Sequence, residues 1–239
     1  MALSDNLVFY SDMTDATSTT VTENTGTYTL TKASSGNPVE ATGKVGDGQT
    51  FTSDYIESTF NPRTTIGTGD LTVAFWFNAS QIDARRSLIN FTDNTAFSDA
   101  LNCQLGRASD SYYINWAARD GVSGYVEISD TGHQDSSWHL FVGTRAGTTG
   151  AMYIDNTLVS SSTNAEWGVN VGAHMGLGSI YTTNAQQADG VTMDEIGIWT
   201  QALDSTERSD LWNSGSGATY SDITGGGVIK PQFLGFSRM

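Results

Sequence analysis

Short apolar and β-branched runs alternate along most of the chain with clusters of glycine, asparagine, aspartate and serine. The clearest run is LTVAFWF at residues 71–77, in which every odd position is apolar and the even positions are Thr, Ala and Trp. Because side chains of a strand alternate between its two faces, this run predicts a central strand covered on both sides. Many-stranded antiparallel folds are punctuated in this way.

Further runs of the same kind bring the expected number of strands to a dozen or more. They lie at residues 7–10, 28–31, 55–58, 88–91, 112–117, 125–128, 138–144, 151–154, 175–180 and 191–199. Residues 151–160, AMYIDNTLVS, predict a hairpin, since Asp155 and Asn156 both tolerate the positive φ of a tight turn.

One segment predicts a helix, residues 204–212. Asp204 occupies the N-cap position, Glu207 stands three residues later as in a capping box, and Gly215 lies where a C-terminal cap belongs. One short helix after a long β region leaves the fold class as all-β.

Composition limits the choice of partners. The chain has 239 residues, with 11 Lys and Arg against 26 Asp and Glu, and a formal net charge of −15. Phosphate binding needs clustered cations, so nucleic acid and anionic membrane surfaces are unfavourable partners. A charged fraction of 15% is typical of β proteins, and one domain of this length needs no disulfide.

The chain offers no sign of secretion or membrane insertion. The first residues, MALSDNLVFYSDM, lack a basic region and a long apolar stretch, and no apolar run approaches the roughly 20 residues that span a bilayer. We therefore expect synthesis and folding in the cytoplasm. Cys103 has no companion at metal-ligand spacing and is expected to be a small buried hydrophobe.

Four stretches in order resemble the laminin G-like branch of the concanavalin A-like lectin and glucanase superfamily. They are GKVGDGQTFTSDYIES at 43–58, DLTVAFWFNAS at 70–80, the Trp-His strand, loop and hairpin at 136–162, and the Asp-Glu strand, Ala-Leu turn and capped helix at 175–215. The resemblance implies a jelly-roll sandwich of two antiparallel sheets at residues 1–220, followed by a tail at 221–239. Members of this superfamily include lectins, adhesion modules, virion surface domains and glucanases, so the fold does not fix the function.

Carboxylates and histidines do not form a recognisable catalytic motif. Retaining glucanases need two carboxyl groups about 5 Å apart on one strand face. The nearest pairs are Glu127 with Asp130 and Asp194 with Glu195, at odd spacings that point to opposite faces of a strand. The histidines match no triad or metalloprotease pattern: His133, His139 and His174. We therefore expect a protein that is not an enzyme.

The resemblance also implies one structural Ca²⁺, held by an aspartate and backbone carbonyls, because this ion takes 6 to 8 oxygen ligands. Asp194 lies at the corresponding place, and Asp12 could face it. The alternative is that both aspartates only cap turns.

Sugar recognition requires exposed aromatic faces with nearby amides or carboxylates. The candidate stacking residues are Tyr112, Tyr113, Trp116, Trp167 and Tyr181, with Asn115, Asn164 and Asn184 as polar companions. The alternative is that these aromatics belong to the core.

The C-terminal segment has a different character. Three glycines at 225–227 precede VIKPQFLGFSRM, which is either a docking peptide for a partner or an extra edge strand. We expect a lectin-like recognition module on a bacteriophage virion surface that binds a cell-surface glycan or polysaccharide. We expect it to be a homo-oligomer or assembly component that contacts other virion proteins through Val228 to Met239. The alternatives are a purely structural virion decoration protein and, behind both, a small glycoside hydrolase.

Overall fold

The computed structural model describes residues 2–34, 36–93, 100–108, 111–120, 124–180 and 186–225. Within these ranges the chain forms seventeen strands. They are β1 Leu7–Ser11, β2 Asp15–Thr17, β3 Thr20–Val21, β4 Leu30–Lys32, β5 Val39–Thr42, β6 Asp47–Phe51, β7 Ile56–Ser58, β8 Leu71–Ala79, β9 Arg86–Thr92, β10 Ala100–Ala108, β11 Ser111–Arg119, β12 Tyr125–Thr131, β13 Trp138–Ala146, β14 Thr149–Ile154, β15 Thr157–Thr163, β16 His174–Leu177 and β17 Val191–Trp199.

The strands form two sheets in which every pairing is antiparallel. The smaller sheet has the order β15-β14-β13-β8-β17-β6-β5, with β1 also paired to β17. The larger sheet has the order β12-β11-β10-β9-β16-β7-β4-β3-β2. This arrangement confirms the predicted all-β sandwich of two antiparallel sheets.

Two apolar cores explain why the run at 71–77 has no polar face. Between the sheets lies the main core, to which β8 contributes Val73, Phe75 and Phe77. Trp76 faces the other way and stacks on Trp212, with ring centres 5.2 Å apart. It belongs to a second core on the outer face of the smaller sheet, whose largest members include Leu3, Tyr10, Trp76, Trp199, Leu211 and Ile223.

Helix α2, Ser205–Trp212, covers part of that second core and begins as predicted. Asp204 accepts hydrogen bonds from the amides of Thr206 and Glu207, and Glu207 accepts one from the Asp204 amide, which completes the capping box. The predicted cap at Gly215 is wrong. The helix ends instead at Asn213, with a φ of 45°, because asparagine tolerates the left-handed region.

Other local predictions have mixed outcomes. The hairpin is confirmed, with Asp155 at a φ of 51° and Asn156 at 61°. Helices α1, Pro62–Thr65, and α3, Tyr220–Thr224, were not predicted, since four or five residues are too short for a helical period. Ile223 is buried, so the packed structure continues beyond the boundary expected at residue 220.

Two further expectations concern single features. Cys103 is fully buried, as expected of a small hydrophobe. None of the helices in the described ranges is long and apolar enough to cross a membrane. The segment after residue 225, including the proposed docking peptide, lies outside the described residues.

Candidate functional site

Strands β10, β11 and β12, at one edge of the larger sheet, present a layer of polar side chains on its outer face. In β10 the side chains of Leu101, Cys103 and Leu105 enter the main core. Alternation therefore sends Asn102 and Gln104 outwards. Registered pairing places Asn115 of β11 beside Gln104. We call Asn102, Gln104, Asn115 and Glu127 of β12 the polar layer. All but Glu127 are at least 95% buried.

Hydrogen bonds fix the orientation of the Glu127 carboxylate. A bulge between Cys103 and Gln104 interrupts the pairing of β10 with β9, and the Gln104 amide donates to Asn115 Oδ1 at 3.1 Å. Asn115 Nδ2 in turn donates to Glu127 Oε2 at 3.1 Å. The Tyr125 hydroxyl donates to the same oxygen. Glu127 Oε1 has no partner among the described residues.

An open pocket lies beside this carboxylate. Its volume is about 230 Å³, and it is lined by Arg85, Ala108, Ser111, Tyr113, Glu127, Ser129 and Thr131. Arg85 Nε lies 3.4 Å from the Tyr113 hydroxyl, and this contact raises the pKa of the guanidinium. We call this cavity the tyrosine pocket.

A second, smaller pocket lies on the other side of Arg85. It has a volume of about 30 Å³ and is lined by Arg85, Asn102, Gln104, Arg119 and Tyr125. The guanidinium carbon of Arg119 lies 5.2 Å from the centre of the Tyr125 ring. Burial, together with the hydrogen bond to Glu127, raises the pKa of the Tyr125 hydroxyl, so this group stays a donor. We call this cavity the arginine pocket.

The tyrosines predicted from the sequence have different outcomes. Tyr113 lines the tyrosine pocket, where its ring is partly exposed. Tyr112 points to the opposite side of β11, and its hydroxyl donates to Asp83 at 3.1 Å. Tyr181 and Asn184 lie outside the described residues.

The two tryptophans proposed for sugar stacking are core residues instead. Trp116 is 1% exposed and Trp167 is 0% exposed, and their rings stack on each other at 6.2 Å. Trp116 Nε1 donates to the Thr144 carbonyl on the opposite sheet. Their faces are covered by protein, so the prediction that they bind sugar is wrong.

The predicted polar companions also differ in role. Asn115 belongs to the polar layer, whereas Asn164 caps the 3₁₀ turn at Ala165–Gly168 by accepting from the Glu166 amide. Asp130, considered above with Glu127, accepts a bond from His133 and lines neither pocket. Glu127 is the single carboxylate among the described residues that line the two pockets.

His133 and His139 lie at the connection between the two sheets, where β12 leads into β13. His139 contacts Asp155 through Nδ1 at 2.7 Å and Asp135 through Nε2 at 3.1 Å. Its ring lies edge to face with that of His133, at 5.1 Å between centres. These contacts join the β12–β13 loop to the β14–β15 hairpin turn, so His139 has a structural role here.

Asp194 and Glu195 form a separate buried acidic site at the middle of β17. The regular pairing of β17 with β8 is interrupted between Asp194 and Gly197, and Glu195 has a φ of 51°. The strict alternation assumed from the sequence therefore does not apply, and both carboxylates are buried. The Tyr10 hydroxyl donates to Glu195.

Burial dominates the electrostatics of this acidic site. It raises the pKa of Asp194 to about 7, although backbone amides that include that of Val45 act in the opposite direction. It raises the pKa of Glu195 to about 8, and the negative charges of Asp194 and Asp12 add to the effect. Removing charge from these carboxylates, or bringing a cation to them, therefore relieves an energetic cost.

Of the two aspartates implied as calcium ligands, only Asp194 has a carboxylate oxygen that could take this role. Asp194 Oδ2 accepts the Val45 amide at 2.8 Å, and Oδ1 is buried without a hydrogen-bond partner among the described residues. Both Asp12 oxygens already accept bonds, from the Thr14 amide and from Asn24. Over the described residues, no three acidic, histidine or cysteine side chains are grouped to share an ion. Backbone carbonyls would have to complete the site.

Sequence reasoning missed Arg85, Arg119 and Tyr125, and it weighed Glu127 only as a catalyst. The useful signal was the alternation of side chains along β11. Ile114 and Trp116 enter the core, so the alternate residues, Tyr113 and Asn115, lie on the outer face. Arg85 and Arg119 are far apart along the chain, and no local pattern brings them together.

A sequence profile of the concanavalin A-like lectin/glucanases superfamily matches residues 47–207. No curated protein matches the chain significantly.

Solved structures with the same fold include toxin binding domains. The binding domain of Paraclostridial Mosquitocidal Protein 1 has a TM-score of 0.69 at 18% identity, over 89% of this chain and 53% of that one. The receptor binding domain of botulinum neurotoxin D has a TM-score of 0.68 at 13% identity, over 90% and 54%. The binding domain of botulinum neurotoxin DC in complex with SialylT has a TM-score of 0.65 at 11% identity, over 89% and 52%. The present chain thus spans about half the length of each.

Proposed function

Because the chain belongs to the concanavalin A-like lectin/glucanases superfamily, we propose that it is a carbohydrate-binding module without catalytic activity, and that the outer face of the larger sheet binds the glycan. The observation on which this proposal depends most is the fixed carboxylate of Glu127 at the edge of an open pocket. The toxin binding domains with the same fold support a binding role, and one of them is described in complex with SialylT.

The chemistry of the tyrosine pocket suits sugar hydroxyls. Glu127 Oε1 can accept a hydroxyl proton, since the other carboxylate oxygen already takes both protein hydrogen bonds. Tyr113 supplies an aromatic wall, and Ser129 and Thr131 supply further polar atoms. A volume of about 230 Å³ exceeds more than tenfold the ~10–15 Å³ that one water molecule needs.

Glycoside hydrolysis is the alternative function for a protein that binds glycans. Glycoside hydrolysis ordinarily uses two carboxyl groups, one as acid and one as nucleophile or base. The described lining of the two pockets supplies only Glu127. We therefore assign this carboxylate the task of orienting a ligand.

A glycan array tests the proposal. The full-length chain is applied to neutral and acidic glycans beside Glu127→Gln and a matched control, Asp210→Asn, on the exposed side of α2. We expect binding to a narrow set of glycans that is lost in Glu127→Gln and kept in the control. Binding to no glycan, or equal binding by Glu127→Gln, would contradict the proposal.

We propose in addition that Asp194 binds a structural Ca²⁺ through its unpaired Oδ1, with Asp12 acting through its charge. The support is the buried oxygen without a partner and the cost of keeping this carboxylate charged. Calcium would offset that cost and fix the loop that contains Val45. This role is separate from the glycan site, because the acidic site lies on the smaller sheet.

Display on a bacteriophage virion stays a prediction from the sequence, as do cytoplasmic synthesis in the host, homo-oligomer formation and the alternative of a purely structural decoration protein. The segment expected to dock, Val228 to Met239, lies outside the described residues. Comparing virion incorporation of the chain with and without residues 226–239 tests the docking role. Equal incorporation would contradict it.

A further inference from the structure

We propose that the arginine pocket holds the acidic group of an acidic sugar, a carboxylate or a sulfate, while the neighbouring part of the glycan occupies the tyrosine pocket. This inference rests on the proposed glycan-binding function and specifies its ligand class. Arg85 lines both pockets and would contact both parts of the ligand.

The arginine pocket brings two cationic side chains together on an acidic protein. The chain has 11 lysines and arginines against 26 acidic residues, yet two arginines line one small pocket to which the described residues contribute no carboxylate. Among the described residues, neither Arg85 nor Arg119 forms an ion pair within 4 Å. Screening limits long-range repulsion from the net negative charge to roughly 8 Å at physiological salt. Within the two pockets, the described lining supplies two arginines against one carboxylate, Glu127, so the local charge favours an anion.

The arginines are held in place by neutral groups. Arg85 Nε contacts the Tyr113 hydroxyl at 3.4 Å, and the Arg119 guanidinium lies over the Tyr125 ring. Such contacts orient a guanidinium without neutralising it. An arginine fork matches the geometry of a carboxylate or sulfate, and each charge-assisted bond is about twice as strong as a neutral one.

An unpaired buried oxygen is the second, independent argument. Asn102 lines the arginine pocket and is 5% exposed, and its Oδ1 is buried without a partner among the described residues. A buried polar atom left unpaired is costly, so a ligand hydroxyl or amide proton that reaches it gains more than it would at the surface. The pocket therefore combines donors for an anion with an acceptor for an adjacent proton.

Size divides the ligand between the pockets. One water molecule needs a cavity volume of ~10–15 Å³. The arginine pocket, at about 30 Å³, therefore has room for two or three atoms of that size. That matches the oxygens of one carboxylate or sulfate and excludes a sugar ring. The ring and its neighbour must therefore lie towards the tyrosine pocket of about 230 Å³.

Matched acidic and neutral sugars test the inference by calorimetry on the full-length chain. The probes are lactose with its sialylated and sulfated forms, and a glucose disaccharide with its glucuronate counterpart. We expect an acidic form to bind at least tenfold more tightly than its neutral parent, with an affinity that falls as salt rises. The arms distinguish sialate, uronate and sulfate as the source of the anion.

Variants then locate the contact. We expect Arg85→Gln and Arg119→Gln each to weaken acidic binding about 10- to 100-fold, and Arg119→Lys to restore part of it. Arg208→Gln, which removes the same charge from helix α2 beside Tyr153 of the smaller sheet, should bind normally. Thermal unfolding of each variant separates loss of fold from loss of contact.

The outcomes separate the two proposals. Equal affinity for acidic and neutral partners, or unchanged acidic binding in both arginine variants, would overturn this inference and leave the glycan-binding function standing. No binding of any probe, together with an unreactive array, would overturn both.

Discussion

Asn115 connects the backbone of β10, where its register with β9 shifts, to the Glu127 carboxylate of β12. Its Oδ1 accepts the backbone amide of Gln104, and its Nδ2 donates to Glu127, both at 3.1 Å. Both bonds depend on one fully buried amide. The order of the proposed glycan site is therefore coupled to the stability of the sheet beneath it.

Replacing Asn115 with alanine should affect both properties. The Gln104 amide would lose its acceptor, so we expect the free energy of unfolding to fall by about 1–3 kcal/mol. Glu127 would also lose a donor, and glycan affinity should fall. Asn115→Asp keeps the acceptor but places a second carboxylate beside Glu127. Because this carboxylate would be buried beside a like charge, Asn115→Asp should be no more stable than Asn115→Ala at neutral pH and should bind no better. Urea unfolding and calorimetry together check this, and unchanged stability in Asn115→Ala would refute the coupling.

Trp167 should matter for stability and not for binding. Its Nε1 donates to Ser162 at 2.9 Å, and its ring covers Gly150 so closely that a Cβ there would lie 2.2 Å from a ring carbon. We expect Gly150→Ala to destabilise the protein by about 1–3 kcal/mol through overpacking, and less in a Trp167→Leu background. The double-mutant cycle is measured by urea unfolding, and additive effects would disprove the contact. Glycan affinity of folded Trp167→Leu should equal that of the wild type.

His139 should make stability depend on pH. The hydrogen bond to Asp155 makes the largest contribution to the raised pKa of His139, Asp135 adds to it, and burial opposes it. The ring of His133, which is paired with Asp130, faces the ring of His139. Since the folded pKa exceeds the unfolded value near ~6.5, this stabilisation is complete below about pH 6.5. It is lost as the pH rises through the folded pKa.

The variant His139→Gln tests that sign. We expect it to lose more unfolding free energy at pH 5.5 than at pH 8.5. Denaturant unfolding at both pH values gives the comparison. A larger loss at the higher pH would show that the imidazole stabilises the fold in its neutral form.

Calcium should stabilise the protein through Asp194. At a concentration 100 times the dissociation constant, a ligand of the folded state contributes about 2.7 kcal/mol, which for a chain of this size raises Tm by about 5–10 °C. We expect this difference between calcium and chelator to vanish in Asp194→Asn and persist in Asp210→Asn. A Tm that does not respond to calcium in the wild type would exclude the site.

The sequence predicted those elements whose side-chain pattern is determined locally. Strand β8 follows from alternation, strand β17 from its apolar and β-branched run, and the hairpin at Asp155 from turn chemistry. Strands β2, β3, β5, β6 and β10 were missed. Strands β2, β3 and β5 are only two to four residues long and form through pairing with neighbours rather than through an apolar pattern of their own.

The candidate site was predicted less well for a related reason. Exposure was judged residue by residue, although the inward position of Ile114 already implied that Trp116 is buried and Tyr113 is not. The two arginines could not be paired from the sequence, since sheet topology brings them together across strands that contain no common motif.

The second core and the two pockets lie on the outer faces of different sheets. Leu3 and Ile223, near opposite ends of the described chain, both pack on the outer face of the smaller sheet, while both pockets open on the outer face of the larger one. The domain can therefore be attached to a scaffold through the outer face of its smaller sheet, with the face that we propose to bind glycans left exposed.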